Sequence, residues 1–195
     1  MPRRADAFIQ GGYYHVYNRG ANRNLIFFSD DDFLCCLGLI KQYARHYQIT
    51  VIAYCLLSNH YHFLLRQDGP APVSKFIGVI FNSYVQSLNL RMERSGTLFE
   101  GRFKHRRVND ETYLLNLCRY IHANPVLHGI VDDPAMWQFS NYLEWVGQRP
   151  GNLVDRAFIT KYFDSPAAYE LYVLEYLRER ELPQPLAEYL QALDD

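Results

Sequence analysis

What this sequence has little of narrows it first. Its four cysteines, Cys35, Cys36, Cys55 and Cys118, show no C-x-x-C spacing and none of the density of a disulfide scaffold, so reduced, mostly buried thiols are expected. No apolar stretch approaches the roughly 20 residues that span a bilayer, and the start, MPRRADAFIQGG, lacks the apolar core of a signal peptide. A cytoplasmic protein with no membrane partner is the expectation. Net charge is almost absent too, at -1, which on average argues against a nucleic-acid partner. The average hides an asymmetry: residues 1–107 hold 14 Lys and Arg against 7 Asp and Glu, whereas residues 108–195 hold 6 against 14. The basic half could meet phosphate while the acidic half keeps the chain in solution, or the two could be solvated faces of opposite sign.

At 195 residues the chain is long enough for one domain with a substantial core, or for one domain and a small appendage. Tyr13 to Asn18 is rich in β-formers after Gly11-Gly12 and predicts a first strand. Ser29 followed by Asp30, Asp31 and Asp32 caps a helix whose apolar positions Phe33, Leu34, Leu37, Ile40 and Ala44 recur at helical spacing. Extended runs Ile49 to Leu57 and His60 to Arg66, joined at Ser58-Asn59, predict a hairpin. Pro70 and Pro72 open a second helix over Val73 to Arg94, and Gly96 closes it. A strand over Phe103 to Val108 and a third helix follow; Pro125 is expected to stop that helix at Asn124.

The first six elements of the order β-α-β-β-α-β-α match the α+β, ferredoxin-like split βαβ pattern, an antiparallel sheet with helices on one face and the other face free for a substrate. Beyond Gly147 the pattern changes to acidic helical segments, Asp155 to Phe163, Ala167 to Arg180 and Leu186 to Leu193. The expected organisation is therefore a domain over residues 1–147 and a helical C-terminal appendage over 148–195.

Two constellations could carry chemistry. His60 and His62 lie two apart on a predicted strand, so both rings face one side while Tyr61 and Phe63 enter the helix-covered core. About 7 Å apart by strand rise, they could converge on one metal ion, or be half-exposed surface histidines. Two imidazoles make too weak a site, so a third ligand is required. On the third helix Tyr113, Leu117, Tyr120 and Asn124 form one stripe, with Tyr120 and Asn124 neighbours at i and i+4. A phenol and an amide oxygen could then enter one site, although one of 16 tyrosines at a core edge is ordinary. His122 lies a turn off the stripe and reads as structural. Arg102, Lys104, Arg106 and Arg107, with Arg19 and Arg23 beside Gly20, could hold a phosphate backbone or simply guard turns and an edge strand.

Together these pieces resemble a known family. Tyr14-His15-Val16-Tyr17-Asn18-Arg19-Gly20, Ser58-Asn59-His60-Tyr61-His62, Gly101-Arg102-Phe103-Lys104 and Arg119-Tyr120-Ile121-His122-Ala123-Asn124-Pro125-Val126 are similar, in order and spacing, to the single-tyrosine HUH transposases (IS200-like), especially their REP-associated tyrosine transposase branch. The resemblance covers about residues 8–147. It implies that His60 and His62 are metal ligands for Mg²⁺ or Mn²⁺, that Asn124 is a third ligand where many relatives use Gln, and that Tyr120 is the nucleophile. It further implies DNA transposition through a 5′-phosphotyrosine on single-stranded DNA with hairpins, by a homodimer or a hairpin-binding monomer. Two other classes of function stay open on the residues alone: a silent sheet that stacks bases on Tyr13, Tyr17 or Phe103, and a metal-dependent nuclease that activates water.

Overall fold

Along the strands, alternate side chains enter two different buried cores. In a computed structural model describing residues 7–194, β1 (Tyr13–Arg19), β2 (Ile49–Leu56), β3 (His60–Gln67) and β4 (Lys104–Val108) form one antiparallel sheet in the order β2-β3-β1-β4. The first six residues of the N-terminal stretch, Arg3 and Arg4 among them, lie outside the described residues, as does residue 195. With α1 (Asp30–Tyr47), α2 (Val73–Arg91) and α3 (Glu111–Leu127) interleaved, the element order is the ferredoxin-like one read from the sequence. The α1 start is fixed as expected: the buried Asp32 carboxylate accepts the backbone N–H of Phe28 at 2.8 Å and of Ser29 at 3.1 Å, and Arg91 of α2 pairs with it.

One sheet face presents Tyr14, Val16, Tyr61, Phe63 and Leu65 to Phe33 and Ile40 of α1 and to Phe76, Ile80 and Phe81 of α2. Each such fully buried apolar side chain contributes about 1.5–3 kcal/mol relative to exposure. The second face, which the sequence pattern leaves open for a substrate, is covered. Tyr17, Leu64 and Val108 pack there with Leu114, Leu117, Cys118 and Ile121 of α3, with Tyr169 and Val173 of α6 (Pro166–Glu179), and with Leu186, Leu190 and Leu193 of α7 (Gln184–Asp194). The three α7 leucines recur at i, i+4 and i+7, an apolar stripe that must find a partner, and the sheet supplies it. Two short helices, α4 (Tyr142–Trp145) and α5 (Arg156–Tyr162), close the side of this second core. Cys36, Cys55 and Cys118 are buried and Cys35 exposed, all as free thiols.

α3 does not stop before Pro125. It runs to Leu127 with Pro125 inside it, because residues 114 to 125 are almost all buried and tertiary packing outweighs the local bias of a pre-proline residue. Proline has no N–H to give to Ile121, and close by, the Asn124 side chain donates Nδ2–H to the Tyr120 carbonyl at 2.9 Å.

His122 is structural, as its position off the stripe implies. The Asn141 amide donates to the carbonyls of Ile52 and Leu153, at 2.9 and 3.1 Å, so its Oδ1 is free to accept from the Tyr54 N–H and from His122 Nε2–H, at 2.8 Å each. The other His122 nitrogen, Nδ1, then accepts from the Tyr169 hydroxyl at 2.6 Å. A bulge in β2, where the register slips between Val51 and Ala53, leaves the Ile52 carbonyl to Asn141 and to Trp145 Nε1. One buried polar hub thus ties β2, α3, α4 and α6 together.

Burial lowers His122 to about 4, and burial assisted by Arg106 lowers His15 to about 3. The unfolded chain, with imidazoles near 6.5, therefore binds protons that the folded chain refuses. Stability is complete above about pH 6.5 and is lost as pH falls through the window toward 4. The urea midpoint is expected to be clearly lower at pH 5 than at pH 7.5; equal midpoints would show that these rings are not held neutral.

A candidate metal and nucleophile site between β3 and α3

The strand parity that sends Tyr61 and Phe63 into the first core sends His60 and His62 toward α3. Their rings stand perpendicular, 5.3 Å apart, and both are buried. The Tyr120 ring meets His62 edge-on at 5.6 Å, and Tyr17, paired with His62 across β1, lies 4.7 Å from it. Four of the residues singled out in the sequence, His60, His62, Tyr120 and Asn124, are brought together here. Tyr113, farther up the stripe, instead packs its ring 5.1 Å beneath Arg106.

Proton placement decides what this cluster can hold. Burial, aided by repulsion from His128, lowers His60 to about 4, so the ring carries one proton at neutral pH. Asn59 donates its Nδ2–H to the Arg23 carbonyl at 3.3 Å, which turns its Oδ1 to within 2.7 Å of His60 Nδ1. The proton therefore sits on Nδ1, and Nε2 keeps a lone pair. Facing that lone pair at 3.4 Å is Asn124 Oδ1, whose assignment as oxygen follows from the Nδ2–H bond to the Tyr120 carbonyl. Two acceptors facing each other with no proton between them repel, and a cation satisfies both. His62 points the same way: its Nδ1 is 3.0 Å from His15 Nε2, while its Nε2 is buried with no hydrogen-bond partner. Burial, then the neighbouring His15 and His60, lower its pKa well below the ordinary value, which keeps it a neutral ligand.

The donor set is two imidazole nitrogens and an amide oxygen, which suits a divalent metal. Among the described residues no group of three or more His, Cys, Asp and Glu could hold a metal, so a metal here would need the amide as a ligand. Two histidines escaped the sequence reading. His128 sets its ring 4.7 Å from His60, and it could have been found at i+4 from Asn124 on the same stripe. His15 could have been found by its parity with Tyr13 and Tyr17 on β1.

The cations divide between faces. Pairing places Arg19 opposite His60, Lys104 opposite Tyr17 and Arg106 opposite His15, so these three emerge on the histidine face. Arg19 pairs with Glu100 and donates to the Leu193 carbonyl at 3.3 Å, and Arg106 stacks 4.8 Å over Tyr189 of α7. Arg107, opposite Tyr14, takes the other face. Arg102 is not in the expected ladder: β4 begins only at Lys104, and Arg102 lines a groove with Asn82 and Gln86 of α2. Arg23 lies in the turn after β1 with a left-handed φ of 58°. Nor is the sheet a bare stacking platform, since Tyr17 is buried and Phe103 lines the α2 groove.

Comparison with known proteins bears on the family and the fold. The family described as "Transposase IS200 like" matches residues 9–124. A Haemophilus influenzae protein named as a REP-associated tyrosine transposase is 27% identical over 112 residues, 52% of this chain and 64% of that protein, so the match spans just under two thirds of the relative. A solved REP-associated tyrosine transposase, bound to a REP hairpin, superposes with a TM-score of 0.65 at 19% identity, covering 80% of this chain and 94% of that one; it bears on the fold.

Asn124→Ala is expected to weaken Mn²⁺ binding, measured by calorimetric titration, by about tenfold or more while the protein stays folded. Unchanged affinity would remove Asn124 from the ligand set.

Proposed function

Because the chain belongs to the IS200-like transposase family, whose pattern spans residues 9–124, we propose that it cleaves and rejoins single-stranded DNA at hairpin-forming repeats through a covalent link to Tyr120. The observation that carries the reading is His60 Nε2 facing Asn124 Oδ1 at 3.4 Å, with the His62 ring 5.3 Å from His60, its Nε2 buried without a hydrogen-bond partner, and the Tyr120 ring 5.6 Å from His62. A divalent metal held by those three atoms, Mg²⁺ or Mn²⁺, would polarise the scissile phosphate and offset its developing charge.

Every other role falls to the chain itself. Tyr120 Oη forms a bond to phosphorus as the bond from phosphorus to the 3′ oxygen breaks. The phenol gives up its proton and the departing oxygen gains one, leaving a 5′-phosphotyrosine and a free 3′-OH. The phosphoester is conserved, so attack by a 3′-OH in the reverse sense rejoins strands without ATP. Arg19, Lys104 and Arg106, on the histidine face, would meet backbone phosphates near the cut, with Arg23, Arg102 and Arg107 serving flanking DNA. A hairpin substrate is supported by the solved relative's REP hairpin. One tyrosine handles one strand end, so exchange of ends calls for two sites, as a homodimer would provide. In this reading residues 1–147 are the transposase unit and 148–195 a helical addition packed on it.

Incubation with labelled single-stranded hairpin DNA and Mn²⁺ is expected to give a protein–DNA adduct stable to denaturant. Tyr120→Phe should abolish adduct and cleavage together, and His60→Ala or His62→Ala should reduce both by about 100-fold or more. Cleavage that persists in Tyr120→Phe would hand the nucleophile's role to water or to another tyrosine.

For the basic strand the readout is salt. Lys104→Ala and Arg106→Ala should each weaken DNA binding and lower the slope of log affinity against log salt by about 1. A slope unchanged in both variants would exclude β4 from the DNA interface.

A further inference from the structure

We propose that His15 is a positioning residue for the cation site: its Nε2 accepts the His62 Nδ1–H and so holds His62 Nε2 as a lone-pair donor aimed at the metal. This rests on the reading of His60, His62 and Asn124 as the ligand set, and adds to it a residue from another strand.

The geometry is that of a directed hydrogen-bond chain. His15 and His62 are fully buried, their rings are parallel within 1°, and Nε2 of one lies 3.0 Å from Nδ1 of the other. On its far side, His15 Nδ1 is 3.0 Å from the Tyr189 hydroxyl, and Arg106 stacks 4.8 Å over the Tyr189 ring. Three groups in a row permit only two concerted proton arrangements. In one, His62 Nδ1–H donates to His15 Nε2 and His15 Nδ1–H donates to Tyr189 Oη, which leaves a lone pair on His62 Nε2. In the other, every bond reverses and Nε2 carries the proton.

The second arrangement aims a buried N–H into the site and cannot bind a cation. The first is the one in which the unpartnered Nε2 atom acquires a use. His15 thus supplies the acceptor that the metal-binding tautomer of His62 requires, and through Tyr189 the chain reaches α7. His60 is set independently, by Asn59. The two ligands are oriented by different strands and different partners.

The test is metal affinity in the full-length protein, read by Mn²⁺ calorimetry alongside circular dichroism. His15→Phe fills the same space without an acceptor and is expected to weaken binding 10- to 100-fold. His15→Gln, whose amide oxygen can accept from His62 Nδ1–H, should recover affinity to within a few-fold of wild type. His60→Ala should abolish binding in any background. If His60→Ala abolishes binding but His15→Phe matches wild type, the His15 assignment falls and the metal site stands. If His60→Ala binds as well as wild type, the metal site falls and His15 with it.

Should His15→Phe fail to fold, ¹⁵N spectra of the wild-type protein loaded with Zn²⁺ decide. The expected result is His62 protonated at Nδ1, with coupling across the hydrogen bond to His15 Nε2. Metal on His62 Nδ1, or a proton on its Nε2, overturns the proposal.

Discussion

The pairing of β1 with β3 is the constraint from which the rest follows. These two central strands run antiparallel in a register that sets Tyr17 against His62, Arg19 against His60 and His15 against Leu64. Because side chains alternate, that single register fixes which side chains enter the α1–α2 core and which meet α3. A slip by one residue would bury both imidazoles under α2 and turn Tyr61 and Phe63 toward Tyr120. The hydrophobic demand of the first core therefore holds the polar site in place on the second and decides which face the histidines take.

Burial on both faces also settles the chemistry of those histidines. In an exposed sheet they would share a proton with water near neutral pH; beneath α3 they are stripped of solvent and stay neutral. A neutral imidazole has one lone pair and one proton, so its usefulness as a ligand depends on which nitrogen each occupies. Asn59 answers that for His60, and its own orientation comes from the Arg23 carbonyl in the turn after β1. The turn residues near Gly20 thereby bear on the site through an amide as well as through charge.

Much of this was legible in the sequence because it depends on local periodicity. Parity alone put His60 and His62 on one face, and the i, i+4 rule alone put Tyr120 beside Asn124. The strand and helix order followed from the same two periods. What escaped depends on contacts between distant segments. The leucine stripe of α7 is visible as a helix face, but nothing local says that it seeks the sheet's second face. α3 outran Pro125 because the packing of its buried side chains outweighs a dipeptide preference. Arg102 fell out of the cation ladder because β4 starts two residues later than its position requires. His15 looked like one more member of a β-forming run, since its partner stands 47 residues away.

The tether from Asn124 to the Tyr120 carbonyl has a consequence for how such a site can change. An amide is a modest ligand, and a carboxylate would attract a divalent ion more strongly. Yet an amide carries its own N–H, and here that N–H is spent on the preceding turn of the helix, so the oxygen has one direction to point. An aspartate in its place would gain charge and lose the anchor, becoming a stronger donor with no fixed aim. If Asn124 holds a cation as proposed, affinity and placement are opposed at this position, and asparagine favours placement.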